Sequence, residues 1–241
     1  MQSPPYITRP AQATDLSALP AVEDSAGTLF RTIEGLETLA DDEPLSVPRL
    51  QEILDVGKIW VAVRVEEEGT GTYEKESTET IVGFLAAFPL LHHLSPPSLP
   101  PQLPSTTTSQ IQSQSRFLHV AELSIHAAHH RRGLGRRLMG DLIRYAEQVN
   151  NVTGPPSSIP QARVDALTLT TYRDVPFNGL FYAKMGFRIS AADKILSVFG
   201  DGAKHIWDEE QMSIPRREER VWMARWMGGR KGLSGERLGE K

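Results

Sequence analysis

The 241-residue chain contains no cysteine. That excludes disulfides, thiolate metal sites and a cysteine nucleophile, and it suits a reducing compartment. A dominant charge is also lacking. Lys and Arg total 26 against 30 Asp and Glu, a formal net charge of −4 at pH 7. Such a balance, without an aromatic-rich basic face, predicts no nucleic-acid partner and no membrane partner. No apolar run is long enough to span a bilayer. The opening residues, MQSPPYITRP, show no basic start followed by an apolar run, so no secretory leader is expected. These absences lead to the expectation of a cytoplasmic protein, with the nucleus also compatible. What is present is hydrophobic content of 39%, enough for one sizeable core or two small ones.

The patterns alternate between strand and helix. Ile7–Pro10 reads as a short opening strand, and Thr14-Asp15 offers an N-cap before a helical run from Leu16 to Phe30. Pro20 requires that helix to start late or kink. Asp41-Asp42-Glu43-Pro44 is a turn, and Ser46 can cap a second helix with Leu50, Ile53 and Leu54 facing inward. Ile59–Val65 and Thr80–Phe88 read as antiparallel strands joined by a long polar hairpin loop, 66–79. The segment 91–115 is Pro, Ser, Thr and Gln with little to bury, so it is expected to be a mobile insertion. Phe117–Ile125 is the next strand, and Gly133–Gln148 is the clearest helix, with Leu134, Leu138, Leu142, Tyr145 and Val149 on one stripe. Ala166–Thr171, a short helix Asn178–Met185 closed by Gly186, Phe187–Ile189 and Arg220–Trp226 complete the pattern. The expectation is an α/β fold in a single domain over 6–226, with 66–79 and 91–115 as loop insertions and 227–241 as a disordered tail.

The strongest local feature is His130-Arg131-Arg132-Gly133-Leu134-Gly135-Arg136, between a strand and a helix. Two glycines permit a tight turn and close ligand approach, and the helix start supplies unpaired N–H groups and the positive end of its dipole. Together these suit a pyrophosphate. Arg131, Arg132, Arg136 and Arg137 add charge. No Gly-Lys-Ser/Thr follows, so it is not a P-loop. The third glycine of a dinucleotide fingerprint would fall at Leu138. A basic helix start with a glycine-rich turn remains the structural alternative.

Glu122-Leu123-Ser124-Ile125-His126 followed by Arg131 to Leu138 resembles the coenzyme A loop of the GNAT (GCN5-related N-acetyltransferase) superfamily. Asn178-Gly179-Leu180-Phe181-Tyr182-Ala183-Lys184-Met185-Gly186-Phe187 resembles its Asn…Phe-Tyr…Gly-Phe segment. The two motifs stand in family order, and the resemblance covers about Tyr6 to Trp226. His130 stands where the family pattern has Gln or Arg. The resemblance implies a central mixed, mostly antiparallel sheet flanked by helices. It also implies an N-acetyltransferase that uses acetyl-coenzyme A as co-substrate, without a metal, on a primary amine of a small molecule or peptide. The coenzyme would be held by Leu123, Ser124, Ile125, His130, Arg131, Arg132, Gly133, Leu134, Gly135, Arg136, Asn178 and Tyr182. A homodimer is compatible with it.

Amine acetylation needs a neutral amine, and an amine of pKa near ~10 is neutral only about one part in a thousand at pH 7. By resemblance, Tyr182 is the tyrosine that protonates the departing sulfur, and its structural alternative is a packed helix aromatic. His119 and Glu122, on the strand before the loop, are the candidate bases, with a base acting through water left open. Glu122 has the opposite strand parity to His119 unless a bulge re-aims it. The base position used on the next strand by ribosomal-protein acetylating relatives is Thr171 here. Asp41, Asp42 and Glu43 either attract a cationic acceptor or form a solvated turn. Asn178 contacts ligand, caps the short helix, or both. His126, His129 and His130 have no cysteine or acidic partner at metal spacing. The competing functional class is a catalytically silent acyl-coenzyme A-binding module.

Overall fold

The computed structural model describes residues 6–68, 76–90, 116–151 and 163–228. Seven strands form one sheet: β1 Tyr6–Pro10, β2 Lys58–Glu68, β3 Glu76–Pro89, β4 Phe117–Ile125, β5 Ala166–Tyr172, β6 Arg188–Ser190 and β7 Arg220–Trp226. Their order is β1-β2-β3-β4-β5-β7-β6. Every neighbouring pair is antiparallel except β4 and β5. A parallel pair needs a long crossover, which the helix α3, Leu134–Asn151, supplies.

Alternation along the strands divides the core. Trp60 and Ala62 of β2 face α3, where Leu138, Met139, Leu142 and Ala146 are fully buried. Ile59 and Val61 face the other way, onto α1, Leu19–Gly27, and α2, Val47–Val56, through Leu19, Val22, Leu50 and Ile53. Each such side chain contributes about 1.5–3 kcal/mol by leaving water, so both faces of the sheet are well anchored. Ser46 caps α2 as expected, its side chain accepting from the Arg49 N–H at 3.4 Å. Pro20 lies in the first turn of α1, where its missing N–H costs nothing. Asp15 does not cap that helix. It accepts from the Gln12 N–H at 2.7 Å and pairs with Arg9 at 2.7 Å, in a 3-10 turn ahead of α1.

Two differences from the sequence pattern matter. The strands β2 and β3 run to Glu68 and from Glu76, so half of the expected 66–79 loop, 66–68 and 76–79, pairs as sheet; its centre lies outside the described residues. The segment 91–115 and the tail from 229 lie outside them too. The stretch 191–219, to which the pattern assigns no element, forms two helices: α5, Ile195–Phe199, and α6, Asp201–Ser213. With Ile195, Phe199 and Ala203 they cover Trp222 and Ala224 of β7 on the α1–α2 side of the sheet. The short helix α4, Gly179–Lys184, packs on the α3 side. Among the described residues, no helix is long and apolar enough to cross a membrane.

Candidate active site

The site forms where the sheet opens. Strands β4 and β5 pair only over Phe117–Ala166, Leu118–Leu167 and His119–Thr168. Beyond those three rungs they part, and a cleft of about 1000 Å³ lies between and above them. Its lining includes His119 to Ile125 of β4 and Leu169 to Tyr172 of β5.

One irregularity in β4 decides which side chains face that cleft. Ala86 pairs with Glu122 and Ala87 with Val120, so Ala121 is an extra residue, a β-bulge. Leu118 and Val120 pack toward α3, and after the bulge Leu123 and Ile125 do so. Strict alternation would have sent Glu122 into that apolar layer. The bulge turns it to the other side, with Ala121, toward α1. There Glu122 Oε1 accepts from Ser124 Oγ at 2.8 Å and the Leu123 N–H at 3.0 Å. Burial, opposed by those bonds and by Arg220, raises its pKa.

His119 has a different fate. It is 3% exposed, stacked on Trp222 at 5.0 Å and edge-on to Phe88 at 5.6 Å. Its Nδ1 lies 3.1 Å from Thr168 Oγ1. Burial, aided by Arg220, lowers its pKa to about 3, so it stays neutral and accepts a proton poorly.

Tyr182 of α4 lines the cleft from the α3 side. Its hydroxyl has no hydrogen-bond partner among the described residues. Burial, with the Glu122 charge, pushes its pKa up, so it remains a protonated donor. Asn178 stands at the N-cap position of α4 but its side chain makes no capping bond; it too lines the cleft.

The glycine-rich loop closes one end. Gly133 has φ +77°, and Arg131 shares the left-handed region at φ 60°. Around Gly133 a Cβ would meet nothing within 4 Å, so backbone conformation, not crowding, calls for glycine. At Gly135 a Cβ would meet Phe181, Ile125 and Leu123 side chains only at 3.7–4.0 Å, ordinary contact. The protein itself leaves that space open, on the cleft side, where a ligand can approach the backbone. His130, the departure from the family pattern, sets its Nε2 at 2.6 Å from Ile125 O, bracing the loop against the end of β4. His126 Nδ1 accepts from the Ala128 N–H at 3.2 Å, and His129 Nδ1 lies 2.9 Å from the Tyr6 hydroxyl. The arginines divide. Arg131 and Arg136 line the cleft. Arg132 instead lies over the Tyr6 ring at 5.6 Å, and Arg137 donates to Tyr6 O at 2.9 Å. Both therefore tie the loop to β1 instead of lining the cleft.

The opposite end is acidic and aromatic. Asp42 and Glu43 line it, but Asp41 turns outward to Arg31 at 2.6 Å. Phe30, Tyr172 and Phe177 pack edge-on there, Phe30 at 6.3 Å and 5.5 Å from the other two rings. On its floor Arg220 donates to Glu210 of α6 and to Thr170, each at 2.9 Å, and lies 4.9 Å over the Tyr172 ring. Glu23 and Asp24 of α1 complete the wall. Glu23, Glu210, Arg220 and the aromatic trio have no motif signal. The helix bearing Glu210 was open to sequence reading through the spacing of Ala203, Ile206 and Trp207.

A splayed sheet with a glycine-rich loop leading into a helix at the opening presents a cleft suited to an anionic ligand. The sequence model of the acetyltransferase (GNAT) family matches residues 33–153, and the chain belongs to that family. Solved structures agree on the fold. A GNAT-family acetyltransferase from Staphylococcus aureus Mu50 is 13% identical, with 93% of this chain and 100% of that one covered at a TM-score of 0.54. The PaiA N-acetyltransferase from Thermoplasma acidophilum, in complex with coenzyme A, is 11% identical, with 92% and 99% covered at 0.50.

Proposed function

We propose that the chain is an N-acetyltransferase that transfers the acetyl group of acetyl-coenzyme A to a cationic primary amine. The observation that carries this reading is that Glu122, Tyr182 and the Gly133–Gly135 loop all open onto one cleft. The coenzyme complex of the similar Thermoplasma enzyme supports the same use of the cleft. Bound acetyl-coenzyme A would supply an activated acetyl thioester. The residues fit it: the loop and the start of α3 would hold its phosphates beside Arg131 and Arg136, and Asn178 would border the arm. The acidic end, with Asp42 and Glu43, attracts a cationic acceptor. Glu122 then takes a proton from the ammonium, and Tyr182 gives one to the departing sulfur. His119 is too weak a base for the first task. The reading extends to a single domain over 6–226 located in the cytoplasm.

The test is a panel of polyamines, aminoglycosides, amino acids and peptides, scored by thiol release from acetyl-coenzyme A. A chain without cysteine adds no thiol background. Release dependent on one class of amine is expected. Binding of the coenzyme with no release on any amine would instead support the silent module.

A further inference from the structure

Glu23 has no part in the chemistry assigned to Glu122 and Tyr182, yet it occupies the same cleft. The helix α1 lies against β4, and the Ala121 bulge turns Glu122 to that side. Each carboxylate has one oxygen engaged: Glu23 Oε2 accepts from the Leu45 N–H at 3.1 Å, and Glu122 Oε1 holds its two donors. The second oxygen of each has no donor, and neither carboxylate has an ion-pair partner among the described residues. Their surroundings are mostly of like sign. Asp24, Asp42 and Glu43 border the cleft, His119 is neutral, the Tyr182 phenol is protonated, and Arg220 is the cation acting on Glu122. The remaining cations, Arg131 and Arg136, belong to the loop end.

Two half-buried carboxylates at one wall do not both ionise readily, because each opposes the charge of the other. Burial and the neighbouring Glu122 raise the pKa of Glu23 to about 8. Glu122, with two donors and Arg220, is the better stabilised anion. The donors on Glu122 and its Arg220 therefore favour placing a shared proton on Glu23.

We propose that Glu23 and Glu122 work as a carboxylate pair, in which Glu122 takes the proton of the incoming ammonium and Glu23 passes a proton to solvent. This rests on the acetyltransferase reading above. The balance is as follows. The ammonium nitrogen loses two protons as its bond to the acetyl carbon forms and the carbon–sulfur bond breaks, the sulfur keeping that electron pair. One proton reaches the sulfur through Tyr182, whose phenol is restored by the nitrogen. The other goes to Glu122. The pair then holds two protons, and Glu23, beside the exposed Asp24, releases one. Transfer from Glu122 to Glu23 restores the starting state.

The first measurement needs no turnover. Carboxyl-carbon NMR titration of the full-length, coenzyme-free chain should show one glutamate titrating near pH 8 that is missing in Glu23→Gln. In Glu122→Gln the same titration should move to lower pH. A Glu23 that titrates in the ordinary carboxylate range, or that ignores Glu122→Gln, overturns the pair. The second measurement is kinetic. Glu23→Gln keeps an acceptor for the Leu45 N–H, so thermal unfolding should be unchanged while kcat falls about tenfold or more. The transition near pH 8 should vanish from the kcat profile, and coenzyme affinity should hold. A kcat within twofold of the parent and an unaltered profile overturn the relay while the acetyltransferase reading stands. A chain that shows the coupled titration but acetylates no amine overturns that reading and the relay with it.

Discussion

Glu122 and Tyr182 reach the same cleft from opposite faces of the sheet. Tyr182 comes with α4 from the α3 side, and Glu122 comes from the α1 side by way of the Ala121 bulge. In an unbroken sheet the backbone would separate them. Because β4 and β5 part after His119–Thr168, their fields meet: the Glu122 charge acts on the Tyr182 phenol. An acceptor of protons and a donor of protons thus face one volume without neutralising each other through a direct bond.

Tyr182→Phe removes the free hydroxyl and keeps the ring against Phe181 and Phe187. It should lower kcat at least about tenfold with little change in coenzyme dissociation constant, since the lost interaction is made in the transition state. Steady-state kinetics beside a binding titration checks this. An undiminished kcat would remove the acid role.

For the base, Glu122→Gln should cost about 100- to 10,000-fold in kcat/KM near neutrality. The loss should shrink at high pH, where the amine deprotonates unaided.

At the coenzyme loop, Gly135→Glu places a carboxylate in the open space by Phe181 and should abolish the melting-temperature rise caused by acetyl-coenzyme A. Gly133→Ala acts differently. There is room for the methyl group but φ is +77°, so about 1–2 kcal/mol of stability should be lost. If Gly135→Glu binds as tightly as the parent, the coenzyme lies elsewhere.

His119 predicts an acid sensitivity. Its folded pKa, about 3, lies below the ordinary value of 6.5, so folding favours the neutral ring. The stability contributed is present above pH 6.5 and is lost as pH falls toward 3, with a slope of up to about 1.4 kcal/mol per pH unit. His119→Phe retains a ring on Trp222 and should flatten this part of the stability curve. Activity of that variant near neutrality would confirm that His119 is not the base, whereas collapse of kcat in a folded, coenzyme-binding variant would reinstate it.

Much of this protein is local. The stripe Leu134, Leu138, Leu142 makes α3 a buried helix, and the alternation in β2 makes it a two-faced strand. Gly133 and Gly135 between a strand and a helix make an anion-binding turn, all from periods and conformations that neighbouring residues fix among themselves. Other features depend on partners distant in sequence. Asp41 and Asp42 are adjacent and chemically alike, yet one pairs with Arg31 while the other lines the cleft. His119 and Glu122 are both plausible bases on one strand. An unpaired alanine turns Glu122 to the cleft, and a tryptophan more than a hundred residues downstream stacks on His119. Glu23 stands on an unremarkable polar turn of α1 until the sheet brings Glu122 opposite it. The sequence by itself determined the elements and the loop that faces an anion, because those follow from short-range sterics and periodicity. Only the tertiary structure decided which acids and bases share a low-dielectric space, because burial and charge coupling belong to the assembled cleft.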